Sequence, residues 1–329
     1  MSRLVLSTSN IISSAPCIIR QSDPEKANFE LCNSLLTNFR TARSLSPPTA
    51  SAKRKDCSNT NGFPRFPLQV FEPITRDCAS YYVPTVDWAA CRLLEKQDQY
   101  EITVKLFFLP EANLADGKKY INDAVGHVLK ALNVDSIDLL IVSFSCNEFR
   151  ELDAESRLVD STFKSANDEI ELETWAELEE FHKRGVVKCL GVADFSGERL
   201  ASFLTRVRVR PKVNQINAKD CHFVDATLLK LAKREKLELF THQDCSDMMP
   251  RDSLVWLLRN GRGEGEGDIL SKINQCLSNE LSEVSPKWVV KYTAIIKERG
   301  VIENKGYFAL ASITEKIGRN EENISDSSY

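Results

Sequence analysis

The chain has 329 residues, 42% of them hydrophobic and 27% charged, with a net charge of −4. A chain of this length buries a large core, as one α/β domain or two smaller ones. The balanced charge argues against a nucleic-acid or anionic-membrane surface, and no apolar run is long enough to span a bilayer.

The N-terminal twenty residues hold two arginines, several serines and no acidic residue. That composition fits a transit peptide, but "LVLST" reads better as the first β-strand. Helical patterns follow at 26–40 and 85–97, with a short strand at 67–71 between them. The Pro/Ser/Asn-rich stretch 46–62 reads as an inserted loop. Its three basic residues, Lys53, Arg54 and Lys55, read as solvated.

From residue 100 strands and helices alternate. "YEITVKLFF" (100–108) is rich in β-branched and aromatic residues. The next segment places Ile121, Val125, Val128 and Leu132 on one helical face and His127 off it, in solvent. "IDLLIVSF" (137–144) is nearly continuous apolar, as a strand covered on both faces would be. A helix over 168–184 turns Trp175 and Leu178 to the core, packs His182 at its edge and stops at Gly185. "GVVKCLGVADF" (185–195) is the next strand, and a helix with Leu200, Phe203 and Leu204 follows. "KVNQIN" (212–217), a helix over 224–235 and "LELFTH" (237–242) continue the series. Arg206, Arg208 and Arg210 in "RVRVRPK" read as solvated arginines at a strand entry. Segment 260–268 is glycine-rich and reads as flexible. A late helix is predicted from Ser285, with Ser285 as its cap and Pro286 in the first turn. Its buried stripe would be Trp288, Tyr292 and Ile295, and Gly300 would end it. The polar tail 317–329 reads as disordered.

The ten cysteines form no C-x-x-C pair, which argues against zinc. Cys189 in an apolar strand and Cys91 in a helical pattern suit reduced, buried thiols in the cytoplasm. Thr241, His242 and Asp244 stand at a strand's C-terminal end, as a ligand-facing or partner-facing cluster or as a bonded strand end that orders the next loop. Parallel βα units of this number predict a (β/α)8 TIM-type barrel with an inserted N-terminal loop, one domain over 1–316.

The order "IDLLIVSF", "ETWAELEEFHKRGVVKCLGVADF", "RPKVNQIN" resembles the aldo-keto reductase pattern, whose fold is such a barrel. In that pattern Gly191, Val192, Phe195 and the Asn214–Gln215 pair stand where the family's motif needs them. The resemblance places Lys105 where the family's catalytic lysine would be. Ser143 takes the histidine's place, and Ala193–Asp194 replace the Ser-Asn pair that holds a nicotinamide. The Asp-x-x-x-x-Tyr element has a faint echo in Asp77 and Tyr82, with Pro73 interrupting the strand before it. The pocket of Lys105, Ser143, Ala193, Asp194, Asn214 and Gln215 thus reads as vestigial, with Lys105 pairing Asp194. No cofactor or metal is expected, although the pocket outline leaves residual NADP binding open.

"RPKVNQINAKDC", "LELFTHQD" and "WVVKYTAIIKERGVIENKGY" (288–307) resemble more closely the regulatory, or modifier, subunits of glutamate–cysteine ligase, a non-catalytic offshoot of that fold. This implies a heterodimer with the ligase catalytic subunit, better use of glutamate and relief of glutathione inhibition. Cys221, beside His222, stands where that family tends to carry two cysteines, and is the candidate for a disulfide with the partner. The alternative is an NADPH-dependent reductase with displaced catalytic groups and Tyr82 as proton donor. Lys305 is a residue that such an ancestor would have turned to a phosphate.

Overall fold

The computed structural model describes residues 2–13, 28–44, 80–84, 86–89, 91–144, 160–218, 226–245, 247–261, 269–271 and 283–314. The expected loop 46–62, the strand at 67–71, most of 260–268, the tail, Asp77 and Cys221 lie outside these residues.

Nine strands form one mixed sheet. In chain order the elements are β1 (Ser2–Ser7), α1 (Phe29–Ser44), β2 (Ser80–Val83), β3 (Tyr100–Phe108), α2 (Gly117–Leu132), β4 (Ile137–Ser143) and α3 (Asp160–Lys183). Then come β5 (Val187–Ala193), α4 (Gly197–Arg206), β6 (Val213–Asn217), α5 (Ala226–Glu235), β7 (Glu238–His242), α6 (Arg251–Asn260), β8 (Glu283–Ile296) and β9 (Val301–Thr314). The sheet order is β2-β1-β9-β8-β3-β4-β5-β6-β7. Strands β3 to β7 run parallel, joined by crossover helices.

The helices form where the apolar spacing says they should. Ile121, Val125, Val128 and Leu132 of α2 are all buried, and Asn133 ends the helix in the left-handed region at φ 56°. Ser196 caps α4 by accepting from the Arg199 N–H, and Leu200, Phe203 and Leu204 are its buried stripe. Trp175 and Leu178 face the core, and the Trp175 indole donates to the Val209 carbonyl at 3.0 Å. His182 sits at the core edge with Nδ1 3.0 Å from the Val187 carbonyl.

Two expected helices are not helices. Residues 86–89 and 91–96 make turns and bends rather than a helix, so Cys91 is a buried turn thiol. More consequentially, the segment from Ser285 is a strand. β8 pairs antiparallel with β3 on one side and with β9 on the other, which inserts a hairpin of two 14-residue strands between β1 and β3. The run Trp288-Val289-Val290 is buried on both faces of the sheet and interrupts a period-2 alternation that otherwise runs from Val284 to Ile296. The apparent cap, Ser285-Pro286, is instead a strand entry with a register shift between Pro286 and Trp288. Gly300, read as a helix stop, closes the hairpin turn at φ 62°.

Close approach decides Gly306. A Cβ there would lie 2.4 Å from the Ser9 carbonyl oxygen and 2.4 Å from the Tyr292 hydroxyl. Gly306→Ala is expected to destabilise by about 3 kcal/mol, because backbone and a fully buried ring both have to move. Gly300→Ala, with open space around it, should lose only about 1 kcal/mol through its φ. Urea melts of the two variants check this.

The sheet separates two cores. On one face Ile102, Val104, Leu106, Trp288, Val290, Tyr292 and Phe308 pack with residues of α2, α3, α4 and α5. On the other, Leu4, Leu6, Phe107, Val289, Tyr307 and Ala309 pack with residues of α1 and α6.

Candidate functional site

The second face carries the charges. Lys105 alternates with Phe107 on β3, and Lys291 alternates with Val289 on β8, so both lysines project from this face. They are direct cross-strand partners. Like charges so placed repel, and Asp244 resolves the conflict. Its Oδ2 accepts from Lys105 Nζ at 2.9 Å and its Oδ1 from Lys291 Nζ at 3.1 Å. Asp244 lies two residues beyond β7, and β3 and β7 are four strand spacings apart, roughly 19 Å in a flat sheet. The sheet therefore curls so that its β7 end comes back over β3 and β8 on this face.

Burial drives the Lys105 pKa down, against the pull of Asp244. Burial pushes Asp244 up, but Lys291 and Lys105 overcome it and hold the carboxyl below the usual carboxylate range.

Beside this bridge, Asp194 sits at the end of β5 in the left-handed region, φ 60°, a conformation that Asp tolerates better than most residues. Its N–H donates to the Gln215 carbonyl at 2.7 Å. Its Oδ1 accepts from the Asn217 N–H at 3.1 Å and lies 2.9 Å from His242 Nε2. His242 Nδ1 accepts from the Asp244 N–H at 3.2 Å. An accepting Nδ1 carries no proton, so the imidazole is the neutral tautomer and donates from Nε2 to Asp194. The Thr241-His242-Asp244 stretch thus contains a bonded strand end that also holds two lysines.

The expected pocket residues divide. Lys105, Ser143, Ala193 and Gln215 share this face, since Phe107 pairs with Ser143 and Ala193 with Gln215. Asn214 does not. It is wholly buried on the opposite face, where its amide donates to the Phe195 carbonyl at 2.9 Å and its oxygen accepts from the Phe195 N–H at 3.4 Å. It is a clamp on the turn after β5. The expected Lys105–Asp194 pair is also corrected. Lys105 bonds Asp244, which reaches it from the loop after β7, while Asp194 is taken by His242 and acts on Lys105 only through its field.

Tyr82 is on the wrong face for a proton donor. It packs on the α2 side, whereas Tyr81 faces the lysines' side. Its hydroxyl lies 3.2 Å from His127 Nε2. His127, expected in solvent, is enclosed by Tyr82, Trp88, Trp288 and Phe308. Its Nδ1 lies 2.5 Å from the Asp123 carbonyl, which accepts only, so Nδ1 is the protonated nitrogen. Burial lowers the His127 pKa. The unfolded chain takes up this proton near pH 6.5 and the folded one at lower pH. The linked stability is complete above about pH 6.5 and falls as the pH drops towards the folded value. Thermal melts of His127→Phe should therefore show a smaller loss between pH 7.5 and pH 5 than the wild type.

Glu30, Tyr307 and Lys291 were not picked out from sequence. Glu30 at the start of α1 accepts from Lys305 Nζ at 2.8 Å and from the Tyr307 hydroxyl at 2.6 Å. Lys305, read as a former phosphate contact, is held by this carboxylate. Lys291 left one signal, a charge inside the apolar run "WVVKY", legible once that run is read as a strand. Arg206 and Arg210, read as solvated, pair with Glu169 and Glu235. Among the described residues no three His, Cys, Asp or Glu side chains are grouped to hold a metal ion.

A family model described as "Aldo/keto reductase family" matches residues 75–242, just over half of the chain.

The chain belongs to the aldo/keto reductase family.

Among its relatives, a Schizosaccharomyces pombe protein assigned as a glutamate–cysteine ligase regulatory subunit is 29% identical over 67% of this chain and 74% of its own length. The human glutamate–cysteine ligase regulatory subunit is 24% identical over 84% of this chain and 89% of its own. A solved aldose reductase from Giardia lamblia is 25% identical, with a TM-score of 0.29, over 42% of this chain and 43% of that one. The chain thus spans less than half of that reductase and most of the two regulatory subunits.

A nicotinamide dinucleotide is the cofactor that a reductase would use, and the residues here fit it poorly. The acceptor-only Asp194 has no amide donor for a carboxamide oxygen, and Ala193 has no hydroxyl. Gln215 keeps its amide, with a buried Oε1 that has no partner among the described residues.

Proposed function

We propose that this protein is a non-catalytic regulatory subunit of glutamate–cysteine ligase. It binds the catalytic subunit as a cytoplasmic heterodimer, improves the use of glutamate and relieves feedback inhibition by glutathione. The observation that carries this reading is the placement of Lys105 and Tyr82 on opposite faces of the sheet. Proton donation to a carbonyl by a lysine-tuned tyrosine needs the two side by side. Lys105 is instead bonded to Asp244 within a buried bridge. The relatives that cover most of this chain carry the name of a regulatory subunit. Among the described residues no helix is long and apolar enough to cross a membrane.

The test is co-expression with the ligase catalytic subunit, followed by affinity capture and a glutamate titration of ligase activity at several glutathione concentrations. The expected result is a stable complex with a lower apparent KM for glutamate and weaker inhibition. A catalytic subunit that neither co-purifies nor changes its glutamate dependence would defeat the reading. Cys221→Ser should remove an interchain band from non-reducing gels of that complex. The competing reductase reading rests on family membership, and NADPH fluorescence titration with carbonyl substrates separates the two.

A further inference from the structure

The charges on the lysines' face are unevenly spread. Lys105 and Lys291 share the single carboxylate of Asp244, which leaves one surplus positive charge at that end. At the other end, Asp194 is bonded to a neutral His242, which leaves one negative charge. His242 links the two ends, with Nε2 2.9 Å from Asp194 Oδ1 and Nδ1 3.7 Å from the Asp244 Oδ2 that bonds Lys105. The Glu30–Lys305 pair nearby cancels itself. The poles also have unspent bonding capacity. Among the described residues Gln215, paired with Ala193 across β5 and β6, has a buried Oε1 without a partner, and the three N–H groups of Lys105 form one hydrogen bond. Solvent reaches both poles, since the side chains of Asp194 and Lys291 are 29% and 27% exposed.

We infer that this face binds a zwitterion of the α-amino-acid type, with its ammonium at Asp194 and Gln215 and its carboxylate at Lys291 and Lys105. A +1 pole beside a −1 pole matches that headgroup and neither a simple anion nor a simple cation. A free amino acid and a γ-glutamyl peptide carry the same headgroup. The site goes beyond the regulatory reading and is independent of it, because the ligand is bound by this chain alone.

Isothermal titration calorimetry of the full chain, with the ligase absent, tests this. The probes are L-glutamate and γ-glutamylcysteine, with two truncated forms of glutamate. 4-Aminobutyrate lacks the α-carboxylate, and 2-oxoglutarate lacks the ammonium. One of the intact headgroups should bind, identifying the source, with each truncated form at least about 10-fold weaker. Asp194→Asn can keep the Asn217 contact and the backbone conformation, and should weaken the intact ligand by about 10-fold or more while sparing 2-oxoglutarate. Lys291→Met should weaken 2-oxoglutarate as well. Gln215→Leu, which removes the orphan acceptor without touching a charge, guards against a variant that misfolds, and should also weaken the intact ligand. No heat from any of the four probes would overturn the inference, as would equal binding of a truncated form or unchanged affinity in Asp194→Asn. Failure here leaves the ligase titration above untouched, and failure there leaves this result standing.

Discussion

Asp244→Ala should destabilise the protein by about 3–5 kcal/mol, the range for breaking a buried ion pair by removing one partner. The cost arises less from lost attraction than from what remains. Lys105 and Lys291 are cross-strand neighbours, and without Asp244 two ammonium groups face each other on one rung of the sheet. The double variant Asp244→Asn, Lys105→Met should recover much of the loss, since it removes one of the two charges. The same bridge sets an acid limit. The folded-state pKa of Asp244 lies below its unfolded value near 3.8. Its contribution is therefore complete well above that pH and is lost as the pH falls through the range below it. Urea melts at pH 7 and pH 3 should show wild type and Asp244→Ala converging in acid. A constant difference between them would contradict the bridge.

Trp288→Ala should cost about 3–5 kcal/mol, as large aromatic truncations in a core do. Trp288 is fully buried on β8, in ring contact with His127. Its neighbour Val289, on the other face of the strand, is equally buried. Val289→Asp and Val290→Asp should therefore both be unable to fold, one disrupting each core. A helix with one buried stripe would tolerate at least one of them. Urea melts of the alanine variant and soluble yields of the aspartate variants check both halves.

The parallel half of the fold was legible because each of its signals is local. Residues 121, 125, 128 and 132 fall on one helical face whatever surrounds them, and "IDLLIVSF" is too apolar and β-branched to be anything but a buried strand. The terminal hairpin was not legible for the same reason. Trp288, Tyr292 and Ile295 recur at helical spacing by coincidence, and the apolar run Trp288-Val289-Val290 breaks the alternation of Val284, Pro286, Trp288, Val290, Tyr292, Ala294 and Ile296 that contradicts them. Pairing partners decide such a segment, and these are up to 196 residues away in β3.

The site divides in the same way. Sequence alone determined which chemical groups are present: a lysine inside a strand, an aspartate and an alanine where a cofactor-binding pair would need an amide and a hydroxyl, and a serine where a histidine would act. It also determined the family outline, since Gly191, Val192, Phe195 and Gln215 stand at the spacing that outline requires. Only the tertiary structure decided which groups meet. It gave Lys105 to Asp244 rather than Asp194, turned Tyr82 and Asn214 to the far face, and brought Lys291 and Glu30 onto the near one. The reason is that charge pairing depends on strand register and sheet curvature. Both are set by long-range hydrogen bonds and packing, which a one-dimensional pattern does not encode.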